Sequence, residues 1–145
     1  MFDGELENWE LLCRYNDTNQ LKNLCRDDGI IRAFSKGCDV DTSFLYFHHG
    51  LSRSYVGETA ANRLHRRQSQ HANLYKPGWI VSHAGPVDLW VAKLRNHTIN
   101  ERRSIEDYYI RNYYAQYKLI NGRRSQILSM TLNPPSSTLE SFFDV

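Results

Sequence analysis

The segment Ser43–Glu58, SFLYFHHGLSRSYVGE, constrains the fold more than any other part of the 145-residue chain. Two short runs, SFLYF and SYVGE, are rich in residues that fit a pleated, half-buried strand. Between them lies HHGLSR, where Gly50 suits a turn. The segment predicts a β-hairpin. Beyond it, Thr59 is a good N-cap, and AANRLHRRQSQHANL predicts a helix that KPGW at 76–79 breaks.

The rest of the chain alternates in the same way. WIVSHAG and VDLWVAKL are strand candidates. INERRSIEDYYIRNYYAQYKLI predicts a long helix ending near residues 115–117, and RRSQILSMTL a last strand. NPPSSTLESFFDV opens on Pro134 and Pro135 and predicts an irregular tail. Before the hairpin, ELENWELLCRYN spaces Leu6, Trp9, Leu12 and Cys13 as on a helix. Residues 18–26 predict a second helix, with Leu21, Leu24 and Cys25 on one face and Asp27–Gly29 ending it. Residues 30–37 fit neither pattern cleanly. The organisation expected is a helical N-terminal extension (1–42), a core (43–133) and a tail (134–145). The fold class expected is α+β, with a small three-stranded, largely antiparallel central sheet flanked by helices.

Composition narrows the function. Apolar content of 41% and charged content of 23% fit a globular domain. No run of about 18 apolar residues predicts a membrane span. The acidic start MFDGELENWELL lacks the basic region of a signal peptide. Three cysteines, an odd number, fit reduced thiols and a cytoplasmic setting. The formal net charge of +2 hides a split. Residues 1–42 hold five Lys/Arg against nine Asp/Glu, a balance of −4, whereas residues 63–124 hold twelve against four, a balance of +8. Such a basic body is either a merely basic surface or the footprint of a nucleic-acid partner.

Several residues could carry chemistry. Arg63, Arg67 and His71 recur every four residues, with Arg66 nearby. They are either a solvated charged stripe or a phosphate-binding face of Arg forks. Tyr46 and Tyr55 could stand together across the hairpin or simply pack the core. Glu106 is either a surface carboxylate paired with Arg102 or Arg103, or an oxygen ligand for a hard cation such as Mg²⁺. His48–His49 and the cysteines lack zinc-like spacing. Walker, Rossmann and Gly-x-Ser-x-Gly patterns are missing from the sequence.

Taken in order, Phe44-Leu45-Tyr46, Tyr55-Val56-Gly57, Asn62-Arg63 and Glu106 resemble the GIY-YIG nuclease superfamily. FLY stands where that family has Gly-Ile-Tyr, keeping the tyrosine and losing the glycine; YVG is similar to Tyr-Ile-Gly. Arg63 is the first choice for the family's helix arginine, and Arg67 with His71 is the alternative. IEDYYIRNYYAQYK resembles the excision-repair branch, with Ile105, Glu106, Ile110 and Tyr117 in register. Ala115 replaces a Pro, and Lys118 replaces an Asn for which Asn121 lies close by. The resemblance covers roughly residues 43–120.

The resemblance implies a DNA endonuclease that hydrolyses phosphodiester bonds with one divalent ion, Mg²⁺ or Mn²⁺, held by Glu106. It implies that Arg63 or Arg67 stabilises transition-state charge, and that Tyr46 or Tyr55 accepts a proton from water. Arg66, Lys93, Arg95, Arg102, Arg103, Arg111, Arg123 and Arg124 are the expected backbone contacts. A restriction, mobile-element or phage enzyme would fit. A nucleic-acid-binding module that keeps the fold without the activity is the alternative. Further expectations are a homodimer on a palindromic site, a protein partner for the acidic extension, and no membrane partner.

Overall fold

The computed structural model describes residues 9–60, 63–73 and 86–121. Among these, four strands and four helices follow in the order β1 (Trp9–Tyr15), α1 (Thr18–Leu24), α2 (Ile30–Lys36), β2 (Thr42–His49), β3 (Ser54–Thr59), α3 (Leu64–Asn73), β4 (Val87–Arg95) and α4 (Ile99–Tyr117). The fold is α+β. The strands form one antiparallel sheet in the order β1-β4-β2-β3. The expected hairpin is β2–β3, closed by the Gly50 N–H donating to the Arg53 carbonyl. The readings at 76–85 (the helix break and one strand candidate) and at 123–145 (last strand and tail) lie outside the described residues.

Period-2 alternation along β2 divides the core. Phe44 and Tyr46 face one side and pack with Leu21 of α1, Ile31 of α2 and Leu64 of α3. Leu45 and Phe47 face the other and pack with Ile105, Tyr109 and Ile110 of α4. The sheet is thus covered on both faces, which explains why β2 is buried from Thr42 to His48.

Two expectations need correction. The sheet has four strands, not three, because residues 9–15 are a strand and not a helix. The register of β1 against β4 shifts between Leu11 and Cys13. That bulge reverses the strand's parity. Trp9 therefore packs on the α4 side, edge-on to Tyr109, while Leu12, Cys13 and Tyr15 pack on the other. The resulting spacing of 9, 12 and 13 imitates a helix. The N-terminal segment is accordingly part of the sheet and not a helical appendage. Second, Thr59 does not cap α3; it ends β3, and α3 begins at Leu64.

A buried polar chain ties β1 to α3. The Tyr15 hydroxyl lies 2.9 Å from His48 Nδ1, and His48 Nε2 lies 2.6 Å from Gln68 Oε1. An amide oxygen only accepts, so Nε2 carries the proton and Tyr15 donates to Nδ1. Burial pushes the His48 pKa down to about 4, the Gln68 bond opposing only in part.

The long helix α4 is capped at both ends. Thr98 and Glu101 form a capping box. At the other end Leu119 N–H donates to Tyr114 O and Lys118 N–H to Ala115 O, a Schellman turn with Lys118 in the left-handed region at φ 54°.

Two outcomes are expected. The folded pKa of His48 lies below its unfolded value near 6.5, so the unfolded chain binds the proton first. Its contribution is intact above pH 6.5 and drains as pH falls toward 4, by about 3 kcal/mol in all. Urea denaturation of His48→Gln should show a flatter loss of stability across that window than the wild type does. Lys118→Gly should raise stability by about 0.5–1 kcal/mol, because glycine adopts the left-handed conformation without strain.

Candidate active site

The site grows from one register pair. Tyr46 of β2 faces Gly57 of β3, and a Cβ at Gly57 would overlap the Tyr46 ring. Glycine here is a requirement of close approach, since it lets the phenol lie flat across the edge strand. The ring is fully buried and its hydroxyl reaches α3. There it stands 2.6 Å from His71 Nε2, and Arg67 Nε donates to it at a longer 3.4 Å. Arg67 and His71 are four residues apart on α3, so a single helix face presents both to one oxygen.

Tyr55 completes an aromatic cluster. It is half-buried, stacks on Tyr46 at 6.3 Å between ring centroids and meets the His71 ring edge at 5.0 Å. Burial, and then the neighbouring Tyr55, raise the Tyr46 pKa well above its ordinary value; Arg67 pulls the other way, and Glu106 adds to the rise. Tyr46 therefore keeps its proton at neutral pH and donates it to His71 Nε2. Desolvation works against the Arg67 charge, but the hydrogen bond to Tyr46, the neighbouring phenols and the Glu58 carboxylate outweigh it and hold its pKa above the ordinary value.

Glu106 is buried on α4, close enough for its charge to act on Tyr46. Arg102, one turn earlier, pairs with Glu58 of β3 at 2.9 Å, with both side chains largely buried. Beside Arg67, Glu58 and Arg102 lies a cleft of about 460 Å³ between the starts of α3 and α4, whose lining does not include Tyr46, Tyr55, His71 or Glu106. Arg63, Arg66, Arg67, Arg102 and Arg103 line it, with Glu58 as the single acidic wall residue among the described residues.

The expected residues thus separate into groups. Tyr46, Tyr55, Arg67 and His71 are in mutual contact, and Glu106 acts on the same phenol. Arg63 precedes α3 and lines the cleft while staying exposed. Lys93 and Arg95 stand away from the cleft: Lys93 lies over the Phe34 ring and Arg95 pairs with Asp39. Arg111 does not line the cleft either, and Arg123 and Arg124 lie outside the described residues. Asn121 supports the glycine-bearing strand: its amide nitrogen donates to Val56 O at 2.6 Å, and Val56 N–H donates to its oxygen at 3.2 Å. Glu58 was not singled out by the sequence reading; its place directly after YVG was the available signal.

No three His, Cys, Asp or Glu groups converge among the described residues. Glu106 alone is a donor set suited to a hydrated hard cation that takes further oxygens from a phosphate, as Mg²⁺ does. It does not suit a metal caged by protein ligands. The cysteines are free, and burial pushes Cys13 and Cys25 up to about 12, so both are inert thiols at neutral pH.

Comparison with protein-family models, curated proteins and solved structures gives no match in any of the three. No helix among the described residues is long and apolar enough to cross a membrane.

Gly57→Ala should displace the Tyr46 ring and cost about 1–3 kcal/mol, as overpacking does in a dense core. Urea denaturation gives the cost, and the tyrosine near-ultraviolet circular dichroism gives the displacement. An unchanged spectrum would contradict the close approach.

Proposed function

We propose that the chain is a divalent-metal-dependent endonuclease that hydrolyses phosphodiester bonds in DNA, as its resemblance to GIY-YIG nucleases implies. One observation carries this reading. Arg67, which lines an arginine-rich cleft, bonds the Tyr46 phenol, and the charge of Glu106, on the helix covering the opposite face of the sheet, acts on the same phenol.

Each residue then has a role. Glu106 holds Mg²⁺ or Mn²⁺, which when bound supplies Lewis-acid polarisation of the phosphate and charge neutralisation at the leaving oxygen. Arg67, whose Nε donates to Tyr46 and whose Nη1 donates to Gln70, offers its remaining guanidinium N–H groups to the phosphate and stabilises charge on the pentavalent transition state. Tyr46 is buried and committed to Arg67 and His71, so it acts as a positioning residue and not as the base. Tyr55, half-exposed in the same cluster, is the phenol placed to accept a proton from the attacking water. Arg63, Arg66 and Arg103 hold the backbone on either side.

The complete burial of Tyr46 also favours a second reading, a nucleic-acid-binding module without hydrolysis. Cleavage of supercoiled plasmid separates the two. Nicking or linearisation should require Mg²⁺ or Mn²⁺, stop in EDTA, and fall about 100-fold or more in Glu106→Ala and Arg67→Ala. Cutting in EDTA, or undiminished cutting by Glu106→Ala, would refute the assignment. Binding without cutting would establish the second reading.

A further inference from the structure

A larger recess, of about 810 Å³, lies away from Tyr46 and Glu106, where the end of α1, α2 and α3 meet. Arg26, Arg32 and Lys36 enter it from the N-terminal segment, and His65 and Arg66 from α3. None of the four Arg and Lys side chains makes an ion pair among the described residues. Elsewhere among the described residues Arg14, Arg95 and Arg102 each have a carboxylate partner. The unpaired charges stand close together: burial lowers the His65 pKa, and Arg32, Arg66 and Lys36 lower it further. Arg32 and Lys36 are also a like-charge pair one turn apart on a seven-residue helix, an arrangement that destabilises the helix unless an anion offsets it.

The recess adjoins the cleft. Arg66 and Gln70 line both, so one exposed edge of α3 separates the two basic hollows. Among the described residues its lining is mostly polar and basic, with no Phe, Tyr or Trp on which a base could stack. Its chemistry is that of a backbone phosphate site, with point charges and Arg forks around an open polar hollow.

We propose that this recess binds the sugar–phosphate backbone of DNA that leaves the cleft, the strand crossing α3 at Arg66. The inference rests on the nucleic-acid part of the proposed function and not on hydrolysis. It also gives the N-terminal segment a role opposite to its average charge: its acidic composition conceals three cations gathered on the DNA side.

The test is fluorescence anisotropy of the full chain with a labelled duplex in EDTA, where no turnover occurs, over a range of salt. Arg26→Ala/Arg32→Ala/Lys36→Ala should weaken binding about tenfold or more and reduce the slope of log K against log salt by about 2–3, one step per lost phosphate contact. Arg26→Lys/Arg32→Lys keeps the charges and should bind within about threefold of wild type. Equal urea midpoints for the variants show that the fold is intact. Wild-type affinity and slope in the triple variant would overturn the proposal. So would unchanged DNA binding accompanied by loss of binding to phosphatidylserine vesicles, which would assign the recess to a membrane surface. DNA binding that depends on the three cations, with no plasmid cleavage in Mg²⁺, would uphold the recess and defeat the nuclease reading alone.

Discussion

The antiparallel register that sets Tyr46 opposite Gly57 is the constraint on which the candidate site depends. A side chain at position 57 would collide with the Tyr46 ring, so the ring can cross the edge strand only over a glycine. Once the ring lies there, its hydroxyl falls at α3, within reach of Arg67 and His71. Shifting the register by one residue would send Tyr46 to the α4 face and dissolve the arrangement. The Asn121 amide reinforces that register from outside, closing both backbone groups of Val56 next to Gly57.

Two polar chains cross the same interface, and they do different things. Tyr15–His48–Gln68 is neutral and deeply buried. It holds β1, β2 and α3 together through directional bonds, where apolar packing alone would leave the strands freer to slip. Arg67–Tyr46–His71 starts two residues earlier on the same strand, β2, and ends in a charged group that lines the cleft. The first chain fixes the rotation of α3, and that rotation aims Arg67 and His71. The two chains explain why the buried face of α3 carries Gln68 and His71 beside Leu64 and Ala72; His65, on the same face, bonds Ser35 of α2 instead.

The hairpin, β4 and the long helix were legible because each carries a clean signal: aromatic runs around Gly50, alternation in VDLWVAKL, and a Thr98–Glu101 box before INERRSIEDYY. The N-terminal strand was not legible, because its bulge puts apolar residues at helical spacing. The choice between Arg63 and Arg67 turned on where β3 stops. Thr59 reads as a cap but stays in the strand, so α3 starts later, and Arg67 with His71 takes the inward positions that Arg63 would otherwise share. The basic recess was hidden by averaging. Nine acidic residues in the first 42 outweigh five basic ones in any window sum, yet Arg26, Arg32 and Lys36 fold onto one hollow.

The position of the cleft follows from sheet order. Helices α3 and α4 cover opposite faces, so side chains from both can meet only where the sheet ends. β3 is that end. Its first half is closed by residues 118–121: Ser54 bonds Lys118 and Ile120, and Val56 bonds Asn121. Beyond Gly57 the closure stops and the arginines begin. The Schellman turn at Lys118 therefore does more than end α4. By reversing the chain it anchors the helix to the start of β3, and a helix anchored there presents Glu106 and Arg102 three and four turns back, at the open half of the edge. A phosphate bound there has to bridge α3 and α4, and the two helices put arginines on both banks.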